Sequence, residues 1–272
     1  YKAIKKAYGI LIKIDSYDIS PAIKFTGIQI SRDRRDRTIT LYQTQYIEQM
    51  AQEYKGKFKE YDTPYGNSKD ELQAFDKIAA VQDEKDRIPL PQYLQPVGKI
   101  AWPSNMTRPD ISMAVSKLCS FSHCAGQRHL DAAFVVMGYL VKTKHLGITF
   151  GGRLRVPYGL TEMPTGFIES GGLWIAHDSS WGGEAKPMAG HVVMYNNGPL
   201  TWAANGLKIV PMSTCESEAS EGSRAAKTGM FARNLAVNNN RRVLGPTALL
   251  GDNNALYEIM HQEGASTRTR YY

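Results

Sequence analysis

The sequence predicts an α/β protein. A mixed five-element sheet domain, with the order β-β-β-α-β-α over residues 171–272, follows an α+β, mainly helical region over residues 1–150. Three observations predict this organisation. Apolar residues recur at helical spacing between residues 110 and 143. Short apolar runs alternate with turn signals after residue 171. Glycine and proline interrupt residues 151–170, which show little periodicity and are predicted to be a linker.

Two strands and three helices are predicted in the first region. Phe25–Ile30 and Thr38–Tyr42 are rich in β-branched and aromatic residues, and a charged tip, Arg32–Arg37, joins them. Residues 68–91 are charged and end in two prolines, so we expect an exposed loop there. The helices are expected over Tyr46–Tyr54, Asp110–Ser122 and His129–Thr143.

The second region is predicted to contain a hairpin and a long helix. The strands Gly190–Tyr195 and Pro199–Trp202 flank the turn signal Asn-Asn-Gly. Ser213 and Glu216 have the spacing of a capping box, which opens a helix that extends to about residue 236. The remaining predicted elements are the strands Leu173–Ala176 and Thr247–Leu250 and the short helix Asn254–His261.

Composition limits the size and class of the protein. With 272 residues, 42% of them hydrophobic, the chain can form one large core or two smaller ones. It has no run of about 18 apolar residues, so we expect no membrane span. Three cysteines are too few for a disulfide framework. The first residues contain neither an initiating Met nor a hydrophobic stretch, so we expect a piece of a longer protein that is not secreted.

Charge is distributed unevenly along the chain, whose formal net charge is +7. Residues 1–164 hold 24 Lys and Arg against 17 Asp and Glu, whereas residues 165–272 hold 9 of each kind. The first part can therefore attract polyanions. An ordinary basic surface explains the same balance, so charge alone leaves a nucleic-acid partner open.

Three carboxylates carry most of the functional information. Asp178 and Asp252 each end an apolar run, and Glu218 lies in the first turns of the long helix. If a right-handed crossover makes the first and fourth strands parallel neighbours, both aspartates end at the same edge of the sheet. The helix stripe that begins at Glu218 continues through Gly222 and Ala225 with little bulk, so the helix can lie close to the sheet. We therefore expect the three carboxylates to converge.

Converging carboxylates suit hard divalent cations such as Mg²⁺ or Mn²⁺. Two such ions about 4 Å apart activate a water and stabilise the leaving oxygen of an in-line displacement. Asp178 can bridge both ions, with Glu218 and Asp252 on one each. Each acid alone also fits an ordinary place in a turn, a cap or the first turn of a helix. Glu216 competes with Glu218 for the helix position, but it suits the third position of the capping box better.

Other side chains admit two interpretations. His177 can act as a general acid or contact phosphate, but the alternation of side chains along a strand favours the face opposite Asp178. Trp181 and Trp202 can stack on bases or pack in the core. The arginines of the charged tip can contact phosphate, or they can form a solvated turn that its own two aspartates compensate.

Several strings of residues, spread over nearly the whole chain, carry a resemblance to a known family. The most specific is Thr107-Arg-Pro-Asp-Ile111. The others are Phe25–Ile30, Gln43–Ile47, Thr63-Pro64, Tyr93–Gly98, His129–Ala132, Tyr139–Thr143, Asp178–Trp181, Trp202, Ser213–Glu218, Gly251–Asn253 and Arg268–Arg270. Together they resemble the Pol polyprotein of copia-type LTR retrotransposons, from the end of the reverse transcriptase through most of the ribonuclease H domain. The family gives the first string no catalytic role, so Arg108 and Asp110 are expected to be structural.

The resemblance implies a ribonuclease H-like fold for residues 171–272 and a thumb- or connection-like part of reverse transcriptase for residues 1–150. It implies cleavage of RNA in an RNA–DNA hybrid, with two Mg²⁺ or Mn²⁺ ions on Asp178, Glu218 and Asp252. The implied partners are the hybrid and the rest of the reverse transcriptase, without a membrane. The implied location is the cytoplasm, in the virus-like particle of the element, or the nucleus. Nucleic-acid contacts are expected from Arg32, Arg34, Arg35, Arg268 and Arg270.

Departures from the family pattern leave alternatives open. The paired-Asp motif of the polymerase is expected upstream, so this chain is not expected to polymerise DNA. The fourth acid of the family is expected beyond Tyr272, and Leu94, Leu207 and Ala219 replace residues usual in the family. A non-catalytic nucleic-acid-binding remnant is therefore the main alternative. A transposase or integrase would need a glutamate on a late helix, for which Glu258 is the candidate.

Overall fold

The computed structural model describes residues 22–157, 160–164, 167–168, 170–180, 187–241 and 243–261. Over these residues the chain is a mixed α/β protein with two four-stranded sheets and seven α-helices. One cluster of buried apolar side chains lies among the helices of the first region, and another lies between the second sheet and its long helix. None of the described helices is long and apolar enough to cross a membrane.

The first sheet is antiparallel, and its strands follow one another in chain order. The prediction of a single strand over Phe25–Ile30 is wrong. Thr26 and Gly27 have φ values of 46° and 82°, and this left-handed backbone reverses the chain in a tight turn between two strands. The strands are β1 (Ala22–Phe25), β2 (Ile28–Asp33), β3 (Thr38–Tyr42) and β4 (Gly147–Gly151).

Five helices pack together beside the first sheet. Three of them confirm the helices predicted to begin near Tyr46, Asp110 and His129, although a short 3₁₀ turn, Pro109–Ile111, precedes the second of these. Their buried faces form the first core. The helices are α1 (Thr44–Glu53), α2 (Lys69–Asp76), α3 (Leu90–Met106), α4 (Ser112–Cys119) and α5 (Gln127–Lys142).

Residues 68–91 contain a capped helix where the sequence predicted an exposed loop. The Ser68 hydroxyl accepts a hydrogen bond from the Glu71 N–H, and the Glu71 carboxylate accepts one from the Ser68 N–H. Phe75 is buried and packs edge-on against Tyr65. The prediction is therefore wrong for α2, because the charged residues that suggested a loop share the helix with a buried aromatic anchor.

The sequence patterns did not predict α3 or β4. Pro96 and Pro103 lie inside α3 and obscure its helical pattern, since proline lacks a backbone donor and is uncommon in helix interiors. Tyr93, Val97 and Ile100 are nevertheless buried against the neighbouring helices. β4 is a five-residue strand bounded by glycines, and its pairing with β3 gives it the support that a short, weakly patterned segment lacks alone.

The second sheet has the predicted element order, β-β-β-α-β-α, over the residues that the structure describes. Three antiparallel strands are followed by a helix that crosses to a fourth strand, which pairs in parallel with the first of the three. The order across the sheet is β7-β6-β5-β8. The elements are β5 (Trp174–Ser179), β6 (Met188–Tyr195), β7 (Gly198–Gly206), α6 (Thr214–Asn238), β8 (Ala248–Leu250) and α7 (Asn254–His261).

A face of small residues seats α6 on β5 and β6. A Cβ atom at Gly229 would overlap the side chain of Ile175, so the isoleucine occupies a notch in the helix surface. Ala225 and Ala232 lie on the same buried face. The predicted stripe without bulk therefore does bring the helix close to the sheet.

The two sheets meet where β4 approaches β7. The Gly151 N–H donates to the Asn196 carbonyl at 2.8 Å, and the Asn197 amide donates to the carbonyls of Gly151 and Arg153. Trp202 Nε1 donates to the carbonyl of Ser104 near the end of α3, at 2.9 Å. The two regions are thus in direct polar contact.

Candidate metal centre

Asp178 lies near the end of β5, where the alternation of the strand turns it outward. It pairs with Gly190 of β6, and its side chain is exposed whereas that of His177 is buried. Because successive strand residues face opposite sides, the two side chains separate as the sequence predicted. The Asp178 carboxylate therefore has access to solvent at the edge of the sheet.

Glu218 comes from the first turns of α6, which Ser213 caps. The Ser213 hydroxyl accepts from the Glu216 N–H at 3.1 Å, and the Glu216 carboxylate accepts from the Met212 N–H, which confirms the capping role of Glu216. Glu218 is only 4% exposed, and its Oε1 atom accepts from the Ser179 N–H at 3.0 Å. The Ser217 hydroxyl donates to the Ser180 carbonyl, so two hydrogen bonds join the start of the helix to the end of β5.

Asp252 follows β8 by two residues and is exposed. Since β8 is parallel to β5, with Ala176 opposite Leu250, both strands end at the same edge of the sheet. The structure thereby brings the three predicted acids together. One carboxylate oxygen from each of Asp178, Glu218 and Asp252 lies within 4.8 Å of the other two.

The donor set fits a hard divalent cation. All three groups are carboxylates, the ligands that Mg²⁺ and Mn²⁺ prefer. Glu218 Oε2 is buried and has no hydrogen-bond partner among the described residues, and a bound cation would supply one. Burial raises the pKa of the nearby Cys215 thiol, and the Glu218 charge raises it further, so a thiolate ligand is not favoured at neutral pH. Two exposed carboxylates leave the site open toward solvent.

A groove of about 330 Å³ adjoins the exposed side of Asp178. Its lining includes small residues of β5, β6 and β7, among them Ala176, Gly190 and Ala204, and Met113 of α4. The groove gives a ligand that reaches Asp178 a surface shared by both regions of the chain.

His177 faces α6, on the side of the sheet opposite the Asp178 side chain. Its Nδ1 atom lies 3.3 Å from Glu218 Oε2, but the two atoms are not aligned for a hydrogen bond. The ring instead lies against the backbone of Gly222 and Gly251. The structure does not place His177 as a solvent-facing acid or phosphate contact.

A buried polar cluster between α6 and β6 was not predicted from the sequence. Glu221 is 1% exposed, and its Oε1 atom is 2.7 Å from His191 Nδ1 and 3.0 Å from an Arg224 amino group. The available signal was the spacing, because position 221 is three residues after Glu218 and flanks the same small-residue stripe. A charged residue at such a position needs a buried partner, and His191 supplies it.

The remaining predicted residues either do not belong to the carboxylate cluster or lie outside the described residues. Arg32 is exposed near the end of β2, Arg34 and Arg35 are exposed in the β2–β3 turn, and Glu258 is exposed on α7. Trp202 donates its indole N–H to the Ser104 carbonyl, in the contact between the two regions described above. Trp181, Arg268 and Arg270 lie outside the residues that the structure describes.

Arg108 and Asp110 form a packed network beside α5. Arg108 is 1% exposed and donates to both carboxylate oxygens of Asp110 and to the carbonyl and hydroxyl of Thr143. The Tyr139 hydroxyl donates to Asp110, and its ring lies 5.2 Å from the guanidinium carbon. This network agrees with the structural role expected for both residues.

Comparison with known proteins identifies transposon polyproteins. The chain is 28% identical over 219 residues to the retrovirus-related Pol polyprotein from transposon TNT 1-94 of Nicotiana tabacum, a match that covers 79% of this chain and 15% of that protein. It is 26% identical over 153 residues to the corresponding polyprotein from transposon RE1 of Arabidopsis thaliana, covering 54% of this chain and 9% of the relative. It is 28% identical over 205 residues to the putative transposon Ty5-1 protein of Saccharomyces cerevisiae, covering 74% of this chain and 59% of the relative.

The chain thus spans less than two thirds of the length of each of these relatives. No protein-family model matches it, and no solved structure matches it significantly. The similarity nevertheless covers most of the chain and agrees with the strings found in its sequence. The predicted resemblance is confirmed: this chain is similar to the Pol polyproteins of copia-type retrotransposons.

Proposed function

We propose that residues 171–272 form a ribonuclease H-like domain that cleaves RNA in RNA–DNA hybrids, and that residues 1–150 derive from the adjoining part of a reverse transcriptase. One observation carries this proposal. Asp178, Glu218 and Asp252 converge from a parallel strand pair and the helix that connects it. The similarity to transposon Pol polyproteins supports an origin in such a polyprotein.

In this proposal, all three acids would contribute carboxylate oxygens to the coordination of two divalent cations. Asp178 and Asp252 are exposed and would each offer a carboxylate oxygen, and Glu218 would offer its unpartnered buried oxygen. When bound, two Mg²⁺ ions lower the pKa of a water and stabilise the leaving oxygen of the RNA strand. The Ser179 N–H orients Glu218 by holding its other oxygen, and the groove beside Asp178 leaves space for the substrate backbone.

A basic surface at the junction of the two sheets supports nucleic-acid binding. Gly152 donates to the Arg37 carbonyl, and Asn197 contacts the Arg153 carbonyl, so two basic segments meet at the β6–β7 turn. The exposed arginines of this surface, which we call the junction arginines, are Arg32, Arg34, Arg35, Arg37, Arg153 and Arg155. With the two aspartates of the tip, their net formal charge is +4, from six positive and two negative groups.

The junction arginines lie at the opposite end of β6 from the acids. Asp178 pairs with Gly190, and Asn196 at the junction follows six residues later, a distance of roughly 20 Å along an extended strand. Roughly six phosphates of one strand fit this distance. A hybrid can therefore contact the basic surface while its RNA strand reaches the carboxylates.

Cleavage of a hybrid with labelled RNA in Mg²⁺ tests the proposal. The expected result is cleavage of RNA in the hybrid, no cleavage of a DNA duplex, and a fall of about 100-fold or more in rate in Asp178→Asn, because the substitution removes one of the three carboxylates that would hold the cations. Asp70→Asn, at an exposed carboxylate on α2, is the matched control and should cleave normally. Equal residual cleavage by the wild-type chain and Asp178→Asn would overturn the proposal.

A non-catalytic nucleic-acid-binding protein is the second candidate, because the junction arginines are separate from the acids. Hybrid binding in EDTA should weaken with salt, and Arg34→Ala with Arg35→Ala should reduce the slope of log K against log salt by about 1 for each phosphate that is no longer neutralised. Arg128→Ala, an exposed arginine on α5, is the control and should leave the slope unchanged. Salt-dependent binding without cleavage would favour this second candidate.

A further inference from the structure

The His177 ring fills the space between two glycine backbones. A Cβ atom at Gly251 would lie 2.9 Å from its Nε2 atom, and a Cβ atom at Gly222 would lie 3.2 Å from its Cε1 atom. Neither glycine has a left-handed φ, so the backbone conformation does not require glycine at either position. The absence of a side chain at both positions instead serves the ring, which needs that space.

Both glycines are close in sequence to a proposed metal ligand. Gly251 immediately precedes Asp252, and Gly222 lies one helical turn after Glu218. His177 itself immediately precedes Asp178. One ring therefore contacts the backbone beside two of the carboxylates and shares a strand with the third.

The contact of the ring with these elements is one of packing. His177 Nδ1 lies 3.3 Å from Glu218 Oε2, yet neither atom has a hydrogen-bond partner among the described residues. His177 is 7% exposed, so the ring cannot move toward solvent without displacing α6 or the β8–α7 connection. Close-packed interiors transmit such volume changes to their neighbours.

We propose that His177 is a positioning residue, whose ring sets the separation of Glu218 and Asp252 and thereby the metal affinity of the site. This inference rests on the proposed function only in assuming that the three acids bind divalent cations. The ring acts through its volume and flat shape, which hold α6 and the β8–α7 connection apart by a fixed distance. It takes no part in proton transfer.

Titration of the folded chain with Mn²⁺ alone, followed by electron paramagnetic resonance and without nucleic acid, tests this role. His177→Ala should raise the Kd for Mn²⁺ by about 10-fold or more, the range typical when a residue that supports a metal ligand is removed. Gly251→Ala should also raise the Kd, because its new methyl group pushes the Asp252 backbone from the ring. His177→Phe keeps a flat ring and should remain within about threefold of wild type, since a packing role does not need the ring nitrogens.

The double variant His177→Ala with Gly251→Ala distinguishes a change in the separation of the metal ligands from a general loss of stability. The added methyl group fills part of the space that the ring leaves. The reduction in Mn²⁺ affinity of the double variant should therefore be smaller than the sum of the reductions in the two single variants. Ile175→Val is the matched control, since Ile175 lies on the same strand and face and packs against Gly229, two turns from Gly222. It should lower the Tm without changing the Kd.

The outcomes distinguish this inference from the proposed function. Wild-type affinity in His177→Ala, additive reductions in the double variant, or a His177→Phe variant as weak as His177→Ala would each overturn the positioning role and leave the carboxylate site standing. A wild-type chain that binds no Mn²⁺ would overturn both.

Discussion

The backbone N–H of Ser179 donates to Glu218 Oε1 at 3.0 Å. Ser179 immediately follows Asp178, so the acid that comes from the helix is held by the backbone beside the acid that comes from the strand. One oxygen of Glu218 is occupied by this bond, and the other remains for a cation. Fold stability and metal binding therefore use different atoms of the same side chain.

Two substitutions at Glu218 should separate these two uses. Glu218→Gln keeps an amide oxygen for the Ser179 N–H but loses the charge, so it should weaken Mn²⁺ binding by about 10-fold or more, with little change in stability. Glu218→Ala leaves a buried N–H without its partner and should lower the free energy of unfolding by about 1–3 kcal/mol. Urea denaturation and Mn²⁺ titration of both variants check this, and equal stability of the two would contradict it.

Arg108→Lys should destabilise the first region although it preserves the charge. A lysine cannot reproduce the three bonds to Asp110 together with the two to Thr143, so a buried cation would lose partners. We expect the free energy of unfolding to fall by about 3 kcal/mol, as when a buried ion pair is broken. Urea denaturation measures it, with the exposed Arg128→Lys as control. A change below about 1 kcal/mol, the scale of an exposed ion pair, would show that a lysine ammonium can replace the guanidinium in this network.

His191→Leu should destabilise the second region through Glu221. The substitution removes the partner at 2.7 Å and leaves Arg224 as the group in contact with a carboxylate that is almost fully buried. The cost expected for such a change is about 3 kcal/mol. The double variant His191→Leu with Glu221→Leu should recover stability, because a pair of apolar side chains replaces a buried polar pair. Thermal unfolding should therefore give it a Tm closer to that of the wild type than the single variant has, and a Tm no higher than that of the single variant would contradict this explanation.

His129 should make the first region sensitive to mild acid. Burial lowers the pKa of its imidazole, and the Gly126 N–H donates to Nδ1, which requires that nitrogen to be unprotonated. The group thus contributes stability above its unfolded pKa of about 6.5, and this stability is lost as the pH falls from there through the lower folded pKa. His129→Asn should flatten the dependence of unfolding free energy on pH below about 6.5, measured by urea denaturation. An unchanged slope would assign the acid sensitivity to other groups.

Sequence patterns predicted the second region better than the first, for physical reasons. In the second region each element carries its own signal: a turn with two asparagines, a serine cap and a stripe of small residues. The parallel pairing of β5 and β8 followed from the handedness of crossover connections, and with it the convergence of the acids. In the first region, α3 contains two prolines, and its helical form depends on packing of Tyr93 and Ile100 that no local pattern reveals.

The sequence predicted the candidate metal ligands but not the residues that support them. Carboxylates at strand ends are visible in the sequence. The role of Gly222 and Gly251, which is to leave space for a side chain packed between them, is seen only when the structure shows that this side chain is His177. Glu221 and His191 are thirty residues apart in the chain, and only the seating of α6 on β6 brings them together. Such pairs are properties of the packed interface, so a single sequence does not disclose them.

β8 has only three residues and lies at the edge of its sheet, yet it delivers Asp252. Short edge strands open locally at a smaller free-energy cost than central strands do. Amide hydrogen exchange should therefore be faster in β8 than in β5, and a cation on all three acids should slow it, because binding stabilises the closed state by RT ln(1 + [L]/Kd). Metal binding would then stabilise the pairing of β8 with β5, and so hold the last strand to the other three strands of the sheet.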